Sequence, residues 1–151
     1  MRLGFVAYRF SLQSVLNHRK FVEEILQKEL SLLLRLLADE EGKLQSLENM
    51  RITLSGELRD KKKANANVST IMLYTGFFQR LLGDIQKQKE EVAKAGEEVE
   101  RKRLEVVEAM KNRKSLEKLK EKRKRAYVGT LEKKEQDFLN EISINRFNRE
   151  I

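Results

Sequence analysis

Residues 11–58 read SLQSVLNHRKFVEEILQKELSLLLRLLADEEGKLQSLENMRITLSGEL, and the spacing of Leu within them decides the fold. In one heptad register the inward positions are 12, 16, 19, 23, 26, 30, 33, 37, 40, 44, 47, 51, 54 and 58, and ten of these fourteen are Leu. Steps of four and three keep the apolar groups on one narrow side of a helix, the pattern of a two-stranded seam rather than of a thick globular core. The four exceptions, Arg19, Glu23, Glu40 and Arg51, carry charge. Their long side chains can snorkel out of a narrow seam and help fix its register. Ser11 is the expected N-cap, with Phe10 before it as a hydrophobic staple.

Working outward, the apolar period fails after Leu58. Residues 61–67, KKKANAN, place basic side chains and turn-forming Asn where a helix should end. Ser69 is then the expected cap of a second helix, whose apolar stripe runs through Ile71, Tyr74, Phe78, Leu81, Ile85, Val92, Ala95, Val99, Val106, Ala109 and Leu116. The predicted fold is all-α: two long helices, about 11–61 and about 69–144, joined by a turn at about 62–68 into an antiparallel coiled-coil hairpin. All 151 residues form a single domain in this view. At ~1.5 Å per residue the helices would measure roughly 75 Å and roughly 115 Å, so the second overhangs the first. With the turn near residue 65, position i faces roughly position 131 minus i, and pairing should stop at about residue 120. Six glycines inside the helical pattern each lower helix propensity by about 1 kcal/mol, so bending is expected at Gly42, Gly56, Gly76, Gly83, Gly96 and Gly129.

Composition agrees with a thin core. Of the 151 residues 37% are charged and 40% hydrophobic, with neither Pro nor Trp. The absence of Cys removes disulfides and thiolate chemistry, and His18, the sole histidine, has no second ligand beside it. No phosphate-binding loop or zinc-binding helix motif occurs, and a two-helix rod offers its carboxylates no concave site in which to become catalytic. The chain is therefore expected to be no enzyme, to use no cofactor or metal, and to take no small-molecule substrate. In the N-terminal MRLGFVAYRF, Arg9 interrupts an apolar run already too short for a secretion signal. The most apolar window, residues 30–38, is broken by Arg35 and falls far short of the roughly 20 residues that span a bilayer. Contact with a membrane would need a partner or a basic surface.

The net charge of +8 is concentrated. Residues 101–127 carry 12 basic and 4 acidic side chains, peaking at KLKEKRKR in residues 118–125, while the remaining segments nearly balance. Such a run suits nucleic acid, acidic lipid or an acidic protein face, or is simply a solvated helix surface. A second surplus is apolar. Residues 68–82 supply Val68, Ile71, Met72, Leu73, Tyr74, Phe77, Phe78, Leu81 and Leu82, more than one seam covers. With Tyr74, Phe78, Leu82 and Ile85 in the seam, Leu73, Phe77 and Leu81 form an outward stripe near the turn. By the facing rule it lies beside Leu47, Met50 and Leu54, the kind of apolar patch that marks a protein-binding site.

The segment YRFSLQSVLNHR at residues 8–19 resembles the F-x-L-x-x-V-L-x-x-R opening of the flagellar export protein FliJ family, through Phe10, Leu12, Val15, Leu16 and Arg19. Tyr74, Phe77 or Phe78, Leu81 or Leu82 and Ile85 after a polar turn look like that family's tip segment. KEQDFLNE at residues 134–141, with Arg146 beyond, is similar to its C-terminal end. The resemblance implies a cytoplasmic component of the flagellar type III export apparatus, similar to the central stalk of rotary ATPases and held at the inner membrane through protein partners. Its chain ends would sit in the hexameric export ATPase, its tip would meet the cytoplasmic domain of the membrane export gate, and export chaperones would be further partners. Carried onto this chain, gate binding falls on Leu47, Met50, Leu54, Leu73, Phe77 and Leu81, and ATPase binding on Phe10, Leu12, Arg19, Arg123, Phe138 and Leu139. The alternatives are a coiled coil that binds nucleic acid or acidic surfaces through residues 111–125, against which stands its lack of aromatics for base stacking, and a self-associating structural coiled coil.

Overall fold

The computed structural model describes residues 7–151. The first six residues of the stretch read as free of a secretion signal lie outside the described residues. Two helices, α1 (Gln13–Lys63) and α2 (Val68–Glu150), pack against each other as a helical hairpin, with no strand among the described residues. Both are continuous through every glycine at which bending was expected. The second ends six residues later than the sequence pattern indicated, because no Pro or capping Gly intervenes before Glu150.

The chain divides into two compact units, Ile25–Val107 and the pair Met1–Glu24 with Glu108–Ile151. The first contains the turn. Lys61, Lys62 and Lys63 form the last turn of α1, and Asn65 adopts a left-handed backbone with φ 52°. The Ala66 amide donates to the Lys61 carbonyl at 3.0 Å and the Asn65 amide to the Lys62 carbonyl at 3.3 Å. This is the six-to-one and five-to-two arrangement of a Schellman helix end. Helix α2 is capped by Asn67 rather than by the expected Ser69. The Asn67 Oδ1 accepts the Ser69 amide at 3.3 Å, and its backbone carbonyl accepts the Ile71 amide at 3.1 Å.

Within this unit the core near the turn is Leu54, Leu81 and Ile85, with Leu44, Leu47, Tyr74 and Phe78 packed against it. Val99 and Val106 are buried farther along α2. Arg51 does not enter the seam: it is exposed and pairs with Glu48 on its own helix, Nε to Oε2 at 3.0 Å. Glu40 does enter. The Gln88 side-chain amide donates both to the Glu40 carboxylate and, at 2.9 Å, to its backbone carbonyl. That hydrogen bond, and a second from Lys43, hold the Glu40 carboxyl below its usual range. Lys102 donates at 2.8 Å to Glu105 on its own helix and at 2.8 Å to Glu29 on α1. Both bonds raise the Lys102 ammonium above its ordinary value.

The second unit has a different chemistry. Phe10, Leu16 and Ala109 are buried, and so is Glu23, at 6% exposure. Glu23 meets the Arg113 guanidinium, whose Nη1 also reaches Glu117 at 2.8 Å, and the two carboxylates raise the Arg113 value further. Lys20 adds a long pair to Glu117 at 4.0 Å. Arg19, expected inward, is exposed. Ser11 is not the cap of α1: the first intrahelical bond runs from the Leu16 amide to the Leu12 carbonyl at 2.9 Å, and the Ser11 hydroxyl accepts from Arg123 Nη1 at 3.0 Å. Residues 7–12 are not helical and include a turn in which the Gln13 amide donates to the Phe10 carbonyl at 3.0 Å, so a facing rule that assumes helix on both sides does not hold for them. Tyr8 lies against Tyr127, ring centroids 5.5 Å apart, where the facing rule placed it near Arg123. Residues 128–151 are exposed throughout, so the unpaired stretch begins about seven residues later than expected.

Candidate functional site

Two surfaces hold the residues that the sequence singles out, one beside the turn and one at the chain ends. In the unit Ile25–Val107, Leu73 (74% exposed), Phe77 (50%) and Met50 (53%) are open to solvent. A shallow groove of about 460 Å³ runs between Ser46, Asn49, Met50, Thr53, Leu54, Glu57 and Phe77. Phe77 also carries the Arg80 guanidinium 5.9 Å from its ring centroid, so the aromatic is bordered by a cation. Met72 and Val68 are exposed as well, which confirms that residues 68–82 hold more apolar groups than the seam takes.

Leu81 is a correction. Local spacing puts it on the outward stripe, but it is 4% exposed and belongs to the core, while Leu82 lies outside at 37%. Both alternatives keep helical spacing, and the difference comes from continuity. Starting from Tyr74 and Phe78, steps of three and four through Leu81, Ile85, Gln88, Val92, Ala95, Val99, Lys102, Val106, Ala109, Arg113 and Leu116 form one unbroken register, and only Leu81 fits it. Leu54 is buried at the floor of the groove and Leu47 is half-buried, so neither is a free anchor on the surface.

The same register identifies the residues that an apolar count misses. Gln88, Lys102 and Arg113 fill the seven-residue gaps of the second stripe, and each makes a polar contact with α1. The seven-residue gaps between Ile85 and Val92, Val99 and Val106, and Ala109 and Leu116 were the available signal. A heptad with one apolar position missing still has an inward residue there.

At the chain ends, Phe10 is buried and Arg123 stands 5.8 Å from its ring centroid while holding Ser11. Leu12 is half-buried. The contacts of Arg123 with Phe10 and Ser11 fasten this segment to α2. Arg19, Phe138 and Leu139 are exposed. An open depression of about 530 Å³ lies among Ala7, Tyr8, Arg9 and Tyr127.

Among the described residues no group of three or more His, Asp or Glu side chains is placed to hold a metal ion. No helix there is long and apolar enough to cross a membrane. A family model described as flagellar FliJ protein matches residues 8–151. No curated protein and no solved structure gives a significant match. A match over nearly the entire length, on a two-helix hairpin with its apolar surplus beside the turn, leads to one conclusion: the chain belongs to the flagellar FliJ protein family, non-enzymatic components of flagellar type III protein export.

Proposed function

We propose that the chain acts as a stalk-like adaptor in flagellar type III export, docking the surface beside its turn on the cytoplasmic domain of the membrane export gate and offering its two chain ends to the hexameric export ATPase. The observation that carries the proposal is the exposed set Met50, Leu73 and Phe77 bordering a groove floored by Leu54. Apolar anchors beside a preformed depression with a polar rim of Ser46, Asn49, Thr53 and Glu57 match the anatomy of a protein-binding hot spot. Leu47 and Leu81 support the surface from beneath. At the other sites, Arg19, Phe138 and Leu139 are the groups open to the ATPase, with Phe10 and Arg123 holding the N-terminal segment in place. Export chaperones are further partners in this proposal.

Calorimetric titration of the chain with the purified cytoplasmic domain of an export gate tests the docking surface. Phe77→Ala is expected to weaken binding by about 2 kcal/mol, or about 30-fold, with Leu73→Ala close behind. Leu139→Ala, distant from the groove in sequence and lying in the other unit, should leave that affinity unchanged. Equal losses for Phe77 and Leu139 would remove the assignment of the gate to this surface.

A further inference from the structure

The excess positive charge is arranged more narrowly than its composition requires. Lys111, Lys114, Lys118, Lys122 and Arg125 follow one another at steps of three and four along α2, and all five are exposed. At 100° per residue they occupy an arc of about 80°, opposite the side that Ala109, Arg113 and Leu116 turn to α1. The row is about 21 Å long at 1.5 Å per residue. None of the five takes part in a hydrogen bond or ion pair among the described residues, whereas Arg113 and Arg123, on the inward side, are both engaged. Cations needed only for the hairpin are thus paired, and this stripe is left unneutralised.

We infer that the stripe of residues 111–125 is an adsorption surface for an anionic phospholipid bilayer. Three features select a bilayer over a nucleic acid. A helix lying in a nucleic-acid groove meets phosphates on both walls and needs cations on both flanks, while a plane touches a single line of side chains. Glu108 and Glu121 stand at the two edges of this stripe, where a groove wall would be. Four of the five cations are Lys, a strongly hydrated point charge suited to a diffuse headgroup layer rather than to bidentate phosphate clamps. Aromatic side chains for stacking on bases are missing from the stripe. Residues 111–125 also present no apolar group between these cations on the outward arc, so binding is electrostatic and reversible, without insertion into the acyl region. This surface is independent of the groove at Phe77.

Flotation of the full-length protein with vesicles tests the inference. Vesicles of phosphatidylcholine with about 30 mol% phosphatidylglycerol should carry the protein at low ionic strength, phosphatidylcholine alone should not, and about 0.5 M salt should abolish the difference. The triple variant Lys114→Gln/Lys118→Gln/Lys122→Gln should lose about 100-fold in partitioning, at about five-fold per lysine. A variant with the same net charge, Lys28→Gln/Lys62→Gln/Lys87→Gln, should partition as the parent does. Failure to float with anionic vesicles, equal losses for the two triple variants, or tighter binding to a duplex oligonucleotide or to polyglutamate than to the vesicles would overturn it. Far-ultraviolet circular dichroism of each variant, expected to match the parent, ensures that partitioning and not folding is compared.

Discussion

Asn65 holds the reversal of the chain with one unusual torsion. It is the one non-glycine residue with positive φ among the described residues, and the two Schellman hydrogen bonds to Lys61 and Lys62 require that conformation. Asn and Gly enter the left-handed region readily, whereas a β-branched residue is opposed by its own Cβ substituents. Asn65→Gly should therefore leave the unfolding free energy from urea titration within about 0.5 kcal/mol of the parent, and Asn65→Val should lower it by about 1–2 kcal/mol. Equal effects for the two would show that the left-handed torsion is not what Asn65 contributes. At the same scale the capping residues were only partly legible. Ser11 and Asn67 both have cap-forming side chains, but whether a hydroxyl caps its own helix depends on which donors reach it, and Arg123 comes from 112 positions away.

The two helices are each legible as elements because their stripes repeat over many turns, and their polar interruptions are legible only in combination. Glu23 and Glu40 stand out as charged residues in a Leu ladder. Their partners do not, since Arg113 and Gln88 lie in gaps of a stripe defined by apolar residues alone. Leu81 and Leu82 could not be separated for a related reason: two adjacent Leu satisfy the same local spacing, and only the register carried through Gln88 and Lys102 distinguishes them. The cross-helix polar contacts also set the pH response of the seam. The Glu40 carboxyl is held low, chiefly by Gln88, so its contribution is present above the unfolded value of 4.5 and is lost as pH falls through the folded one. Lys102 is raised by Glu105 and Glu29, so its contribution is complete below 10.5 and disappears as pH rises through the folded value. The stability difference between the parent and Glu40→Gln, measured by urea unfolding, should be present at neutral pH and vanish in acid below the folded Glu40 value. A difference that persists unchanged in acid would mean that the carboxylate charge plays no part.

For the molecule as a whole, the polar contacts decide which pairing the two stripes permit. A homotypic pairing of α1 with α1 of a second copy could set Glu23 and Glu40 in a seam beside equal charges, and the same arrangement of α2 would concentrate Arg113 and Lys102. Like charges facing each other in a seam repel, and the buried Glu23 would lose the guanidinium that neutralises it. Pairing α1 with its own α2 places Glu23 on Arg113, Glu29 on Lys102 and Glu40 on Gln88. An exchanged dimer would keep those contacts, but only by straightening residues 64–67 and giving up the Schellman bonds and the Asn67 cap. The parent chain has no Cys, so engineered pairs report unambiguously. Light and isotopically heavy copies of a Glu29→Cys/Lys102→Cys variant, mixed and joined by a short bis-maleimide, should yield only light–light and heavy–heavy links within single chains, and a Lys20→Cys/Glu117→Cys variant should do the same. Mixed light–heavy links in statistical proportion at micromolar protein would show that the stripes pair between copies, and the hairpin would then be a property of an exchanged dimer rather than of one chain.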